Sequence, residues 1–183
     1  DFTIDFFCEF TNTSASQIIF SKGANWGTQG GGFTLYIDAS NPKKMGFAFG
    51  DGSWLFNTLF TSNIENLTKY HISIVRSGSN FLGFIDGVQG FAATNAGAGG
   101  TGAAYSFCIG ADRDYTGSPQ SPMKIYGFRI TKGKALYTSN FNVDLTNPYF
   151  PAIDSISDLW IDGNDYSKMT LATGVSKIVD KSG

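Results

Sequence analysis

The 183-residue chain carries 13 Lys+Arg against 15 Asp+Glu, a net charge of −2 and a pI near 5.2, which excludes the basic footprint of a nucleic-acid binder and a polybasic membrane patch. Charged residues make up 15% of the chain, against roughly 25% in an average soluble protein. Aromatics also reach 15%, with 23 Gly and 5 Pro; many short strands joined by glycine-bearing turns would produce this balance and a helical bundle would not.

In DFTIDFFCEF (residues 1–10), Phe2, Ile4, Phe6, Cys8 and Phe10 fall on one face of a strand. Asp1, Thr3, Asp5 and Glu9 fall on the other. QIIFSKG (17–23) is a short second strand, and the glycines of GANWGTQGGG (23–32) make it a loop. GFTLYIDAS (32–40) and KMGFAFGDGSWLF (44–56) are extended, the latter turning at Asp51-Gly52. NIENLTKY (63–70) is a connector. HISIVRSG (71–78) and NFLGFIDG (80–87) form a hairpin through Ser77-Gly78-Ser79. FAATNAGAGGTGAA (91–104) is a loop of small residues unsuited to packing. YSFCIGA (105–111) is a strand, DRDYTGSPQSP (112–122) a polar loop and MKIYGFRIT (123–131) a strand. KGKALYTSNF (132–141) is irregular or a short helical turn, and NPYFP (147–151) is extended. No stretch holds a helical period, and strands return roughly every 8–12 residues, the pattern of an all-β sandwich or jelly roll.

Cys8 and Cys108 read as buried small hydrophobes on strands. Two cysteines fix neither a pairing nor a compartment, so a disulfide stays open, and no Cys/His spacing suggests zinc. No apolar run is long enough to span a membrane. Both ends read as cut: the strand pattern is under way at residue 2, and VSKIVDKSG ends without a stop signal of its own. The expectation is a segment of a longer polypeptide.

DFTIDFFCEF, YHISIVRSG, FLGFIDGV, FCIGAD and IYGFRITKGKALYTSNF, in that order, resemble laminin-G-like domains of the concanavalin A-like lectin/glucanase superfamily. The likeness is to versions found in bacteriophage virion proteins, and RITKGKALYTSNF matches their closing string except at Leu136. The first strand that usually precedes DFTI is missing, and LWIDGND…VDKSG resembles the opening of another such domain. This resemblance implies an antiparallel two-sheet jelly-roll sandwich over residues 1–150, with 151–183 a linker and the start of a following module. It does not imply one function; the phage-like closing string, the low charge, the cut ends and the second module point to a non-catalytic structural and adhesion module of a virion protein: a tail fibre, spike or head decoration on the particle surface. Other virion subunits would be its partners, within a homo-oligomer, and host-surface glycans its ligands. The alternatives are a lectin domain of a secreted protein and a polysaccharide depolymerase.

The site residues follow from the same pattern. His71 is the only histidine, and strand alternation points it away from Arg76. A triad needs a nucleophile and a carboxylate within hydrogen-bond reach, and no G-x-S-x-G is present, so His71 reads as a strand histidine bonded to a neighbouring side chain or backbone rather than a triad member. Arg76 and Asp86 border turns, where an ion pair or a cap is expected. The Glu-x-Asp-x-x-Glu strand of the glucanases is absent: the chain has only Glu9 and Glu65, and the spacing of Asp5 and Glu9 does not reproduce it. Asp112 and Asp114 put two oxygen ligands in one loop, a partial calcium pattern interrupted by Arg113; no other cofactor is implied. Trp26 with Asn25, Trp54, and Tyr115 with Asp112, Arg113 and Asp114 are the candidates for sugar binding, because indole and phenol faces stack on sugar C–H groups while the polar neighbours bond hydroxyls. Trp54 begins a strand, so covering the sheet is its expected role; Trp160 is expected to anchor the next module.

Overall fold

The computed structural model describes residues 1–23, 32–38, 40–41, 43–51, 53–95, 97, 107–111 and 121–146, and the main chain alone of 159–162, 169–171 and 175–178. No α-helix occurs among them. The strands are β1 (Phe2–Phe10), β2 (Gln17–Gly23), β3 (Gly32–Asp38), β4 (Lys44–Gly50), β5 (Trp54–Asn63), β6 (Lys69–Ser77) and β7 (Asn80–Ile85). They continue as β8 (Val88–Thr94), β9 (Phe107–Ile109), β10 (Met123–Lys132), β11 (Leu159–Asp162), β12 (Met169–Leu171) and β13 (Val175–Ile178). One sheet runs β11-β10-β1-β6-β7-β8 and another β5-β4-β3-β2-β9, with β12-β13 as a separate pair. The ladders are antiparallel, the all-β, two-sheet architecture expected of a jelly roll. By its contacts the chain divides into two compact units, 1–9 with 69–89 and 124–183, and 10–68 with 90–123.

The first unit is built on β1 and β6, which pair from Phe2↔Arg76 to Glu9↔Lys69. Paired residues share a face, so Ile4, Phe6 and Cys8 stand beside Ile74, Ile72 and Tyr70. All are buried, and Phe6 stacks on Phe128 of β10 at 5.6 Å. A fully buried phenylalanine contributes on the order of 3 kcal/mol. The opposite face was expected to be the polar side of the strand. It is buried too: Thr3, Asp5 and Ser73 are fully enclosed and His71 nearly so. The segment 133–146, irregular and without a helix, is what lies on them. Thr3 Oγ1 donates to the Lys134 carbonyl and accepts from the Leu136 N–H. Tyr137 and Phe141 stack at 3.8 Å, and Phe141 meets both His71 and Phe84 edge-on. This strap is why polar residues on an alternating strand end up in the interior.

The second unit is built on phenylalanines. Register places Phe33 opposite Phe49, Leu35 opposite Phe47 and Ile37 opposite Met45, and Phe56 of β5 opposite Phe49. Phe47 touches Phe33, Phe56 and Phe91 with centroids 6.3, 6.0 and 5.9 Å away. Phe60 meets Phe91 edge-on at 4.8 Å. Such pairs are worth roughly 0.5–1.5 kcal/mol beyond the area they bury. Phe91 corrects the reading of 91–104 as a non-packing loop, because residues 88–94 are strand β8. The signal was present in Asp86-Gly87, whose φ of 52° and 77° make the two-residue turn that joins consecutive strands. Asp51 falls between β4 and β5, where the turn was expected, and Gly52 lies outside the described residues. β5 runs to Asn63 and β6 starts at Lys69, which shortens the expected connector to 64–68. Cys8 and Cys108 are buried free thiols; burial, then the Asp86 charge, pushes the Cys8 thiol up.

Candidate functional site

The densest polar cluster is on the strap-covered face of β1. Arg129 of β10 grips Asp5 with two bonds, Nε to Oδ1 at 3.0 Å and Nη2 to Oδ2 at 2.6 Å. The Tyr137 hydroxyl donates to Asp5 Oδ2 and accepts from Arg129 Nη2, both at 3.1 Å. His71 Nε2 lies 3.6 Å from Asp5 Oδ2. The His71 backbone N–H donates to Asp86 Oδ1 at 2.7 Å, and its carbonyl accepts from the Asp86 N–H at 2.8 Å. Asp86 therefore caps the turn, as one of the two expected roles for a turn acid. Arg76, paired with Phe2 while His71 pairs with Phe7, bonds the Gly78 carbonyl and lies over the Phe81 ring at 5.2 Å. His71 faces away from Arg76, as alternation predicted, with its imidazole in ion-pair range of Asp5. Asp5 is its partner, although the sequence reading gave Asp5 no role beyond the polar side of β1.

Burial alone would raise the Asp5 carboxyl, but the His71 and Arg129 contacts and charges outweigh it and hold the group below the ordinary carboxylate range. Burial raises Asp86, only partly offset by the His71 N–H. A depressed carboxyl stabilises the fold fully above its unfolded pKa and loses that contribution as pH falls through the folded value. A raised one acts in the opposite sense, since the native state then binds the proton more tightly. Asp5, joined by Glu9 through its pairing with Lys124, thus sets the acid limb. Thermal melting from pH 6 downward is expected to stay level to about pH 4, near the unfolded pKa of Asp, and then to fall steeply. A melting temperature unchanged down to pH 2 would contradict the assignment.

The second unit carries a different surface on β3, β4 and β5. Opposite the phenylalanine side, Tyr36 pairs with Gly46, Ala48 with Asn57, Gly46 with Leu59 and Gly50 with Trp54. Ile18, Tyr36 and Ala48 form a small buried cluster, and Trp54 and Leu59, each half-buried, pack against it. The Tyr36 ring lies on Gly46, where a Cβ would overlap its far end and hydroxyl. That hydroxyl donates to Asn57 Oδ1 at 2.6 Å, while Asn57 itself is exposed. Burial first, with the Asp38 charge, raises the Tyr36 phenol against the opposing Asn57 bond, so the hydroxyl remains a donor at neutral pH.

Of the residues singled out from the sequence, Trp54 is in this surface, covering the sheet as expected but not enclosed. Asn25, Trp26, Asp112, Arg113, Asp114 and Tyr115 lie outside the described residues, as does the calcium pattern. Among the described residues no group of three or more His, Cys, Asp or Glu could hold a metal. Trp160 is on β11, whose main chain pairs with β10 at Arg129↔Trp160. Sequence reasoning passed over Tyr36 and Asn57; their spacing carries no motif, and only the β3-β4-β5 register brings them together.

Residues 1–136 match a laminin-G-type family model of the concanavalin A-like lectin/glucanases superfamily. The chain belongs to this superfamily. Among solved structures it is similar to a Bacteroides ovatus protein described as carbohydrate binding, at 15% identity and a TM-score of 0.66, over 96% of this chain and 48% of that one. It is also similar to domain 4 of AbnA, an extracellular arabinanase from Geobacillus stearothermophilus solved with arabinotriose. That match has 16% identity and a TM-score of 0.55, over 70% of this chain and 59% of that one. At such identities the likeness is one of fold. The superfamily chain thus spans about half the length of the Bacteroides structure. No curated protein sequence matches it significantly.

Proposed function

We propose that this superfamily domain is a non-catalytic carbohydrate-binding module, serving as a structural and adhesion unit of a phage tail fibre, spike or head decoration that contacts host-surface glycans. The observation that carries the reading is that, among the described residues, the superfamily fold comes with its acids held by structural partners. Glycoside hydrolysis needs two carboxyls flanking the scissile bond. Here each acidic side chain from Asp1 to Asp144 among the described residues has a structural partner. Asp5 is bound by Arg129, Glu9 by Lys124, Glu65 by Lys43 and Asp86 by the His71 N–H. Asp1 accepts from Gly78, Asp38 from Ser40 and Asn41, Asp51 from Ser53, and Asp144 from Thr146. The solved relatives support a sugar ligand, and the RITKGKALYTSNF closing string supports the virion setting.

The test is titration of the chain with purified bacterial surface polysaccharides by calorimetry, with reducing ends measured in parallel. Saturable binding without release of reducing ends is expected. Turnover that survives repurification would make the domain an enzyme. Absence of binding to any glycan would leave only the structural part of the reading.

A further inference from the structure

We propose that the Trp54–Asn57–Tyr36 surface of β3-β4-β5 is the sugar-binding site, and that its ligand is a neutral hexose unit; this rests on the carbohydrate-binding reading above. Tyr36 is buried and its hydroxyl donates to Asn57 Oδ1, which fixes which end of the exposed amide turns inward. The Nδ2 end then faces outward as a donor. Gly46 is required for this, since a Cβ there would displace the Tyr36 hydroxyl.

The indole comes next. Trp54 and Asn57 pair with Gly50 and Ala48, alternate positions of β4, across a register shift between Phe49 and Gly50, and packing against the Ala48 cluster keeps Trp54 on that face. Alternate positions are about 7 Å apart, a span that one hexose ring covers. Trp54 seals the Ile18–Tyr36–Ala48 cluster with part of its surface and leaves the rest to solvent. An apolar ring face beside one oriented amide donor is complementary to a sugar, which has an apolar C–H face and hydroxyl acceptors at its rim. Charge on the same face is already engaged. Asp38 and Lys44 are paired in register; Asp38 accepts from Ser40 and Asn41, and Lys44 donates to the Thr61 carbonyl. The surface therefore has nothing to offer a carboxylated sugar that it does not offer a neutral one.

Asn57→Asp separates binding from structure. The carboxylate still accepts the Tyr36 hydroxyl, but the outward donor becomes an acceptor. Trp54→Leu keeps apolar cover over the cluster and removes the stacking face. The probes are neutral hexose oligosaccharides, with sialylated and uronate-containing glycans as the charged set, titrated into wild type and both variants with melting measured in each. The expected result is wild-type binding to neutral glycans, weakened about tenfold in Asn57→Asp, as for loss of one well-placed hydrogen bond, and at least as much in Trp54→Leu, with melting of Asn57→Asp unchanged. If either variant fails to fold, the other decides. Wild-type binding retained in the variants would overturn the site and leave the carbohydrate reading standing. Binding confined to charged glycans would overturn the neutral ligand. No binding by wild type would overturn site and reading together.

Discussion

Replacing Asp5 by alanine is expected to lower the unfolding free energy by about 3–5 kcal/mol, the cost of removing one partner from a buried ion pair. Arg129 is 2% exposed and both of its bonds to the carboxylate would be lost. The Tyr137 hydroxyl at 3.1 Å is a neutral group that cannot replace the lost countercharge of a buried guanidinium. The Tyr137 hydroxyl of the strap would lose its Asp5 acceptor as well. The pair need not be net stabilising: charges taken from water gain back only part of their hydration. The double variant Asp5→Ala, Arg129→Met is therefore expected to recover much of the loss, and urea unfolding of the four proteins in the cycle gives the coupling directly. A cost below about 1 kcal/mol for Asp5→Ala, the range of an exposed pair, would show that water reaches Arg129 and that the strap does not seal this face.

Gly87→Ala is expected to cost about 2–4 kcal/mol, well above an ordinary surface substitution. Two terms add. Gly87 has φ +77°, a left-handed conformation that an alanine adopts only with strain. Its Cβ would also overlap the Phe141 carbonyl oxygen and press on Val143, while the Phe141 N–H donates to the Gly87 carbonyl at 2.9 Å. The strap rests directly on this turn, so the turn cannot gain a side chain without the strap moving. Gly78→Ala is the internal control. Gly78 has φ +61° with nothing within 4 Å of an added Cβ, so only the backbone term applies, about 1 kcal/mol. Equal destabilisation of the two variants by denaturant melting would mean that the strap contact adds nothing.

The two results bear on what holds the domain together. Hydrophobic alternation was enough to find β1, β6 and β10 and to put Phe2, Ile4, Phe6, Cys8 and Phe10 on one face, because a side chain's face follows from its parity along a strand. Turn chemistry was enough to separate β4 from β5 and β6 from β7. Parity also turned His71 away from Arg76, which removed a catalytic reading before any geometry was known. Parity says which face a residue takes, however, and not what covers that face. Thr3 and Asp5 alternate like solvent-facing residues, yet are buried because residues 133–146, more than a hundred positions later, lie across them.

The chain's own order of residues therefore determined the all-β class, most strands, the turns and the superfamily, since these depend on local periodicity and on motifs read in sequence. Tertiary structure alone decided that Asp5, His71, Arg129 and Tyr137 form one buried cluster. It also decided that Phe91 belongs to a strand and a core, and that Tyr36, Trp54 and Asn57 share a surface. Each of these depends on which strand is paired with which and in what register. Such pairings join residues far apart in sequence, and their energy comes from burial and desolvation in the assembled sheets rather than from any preference of the local chain.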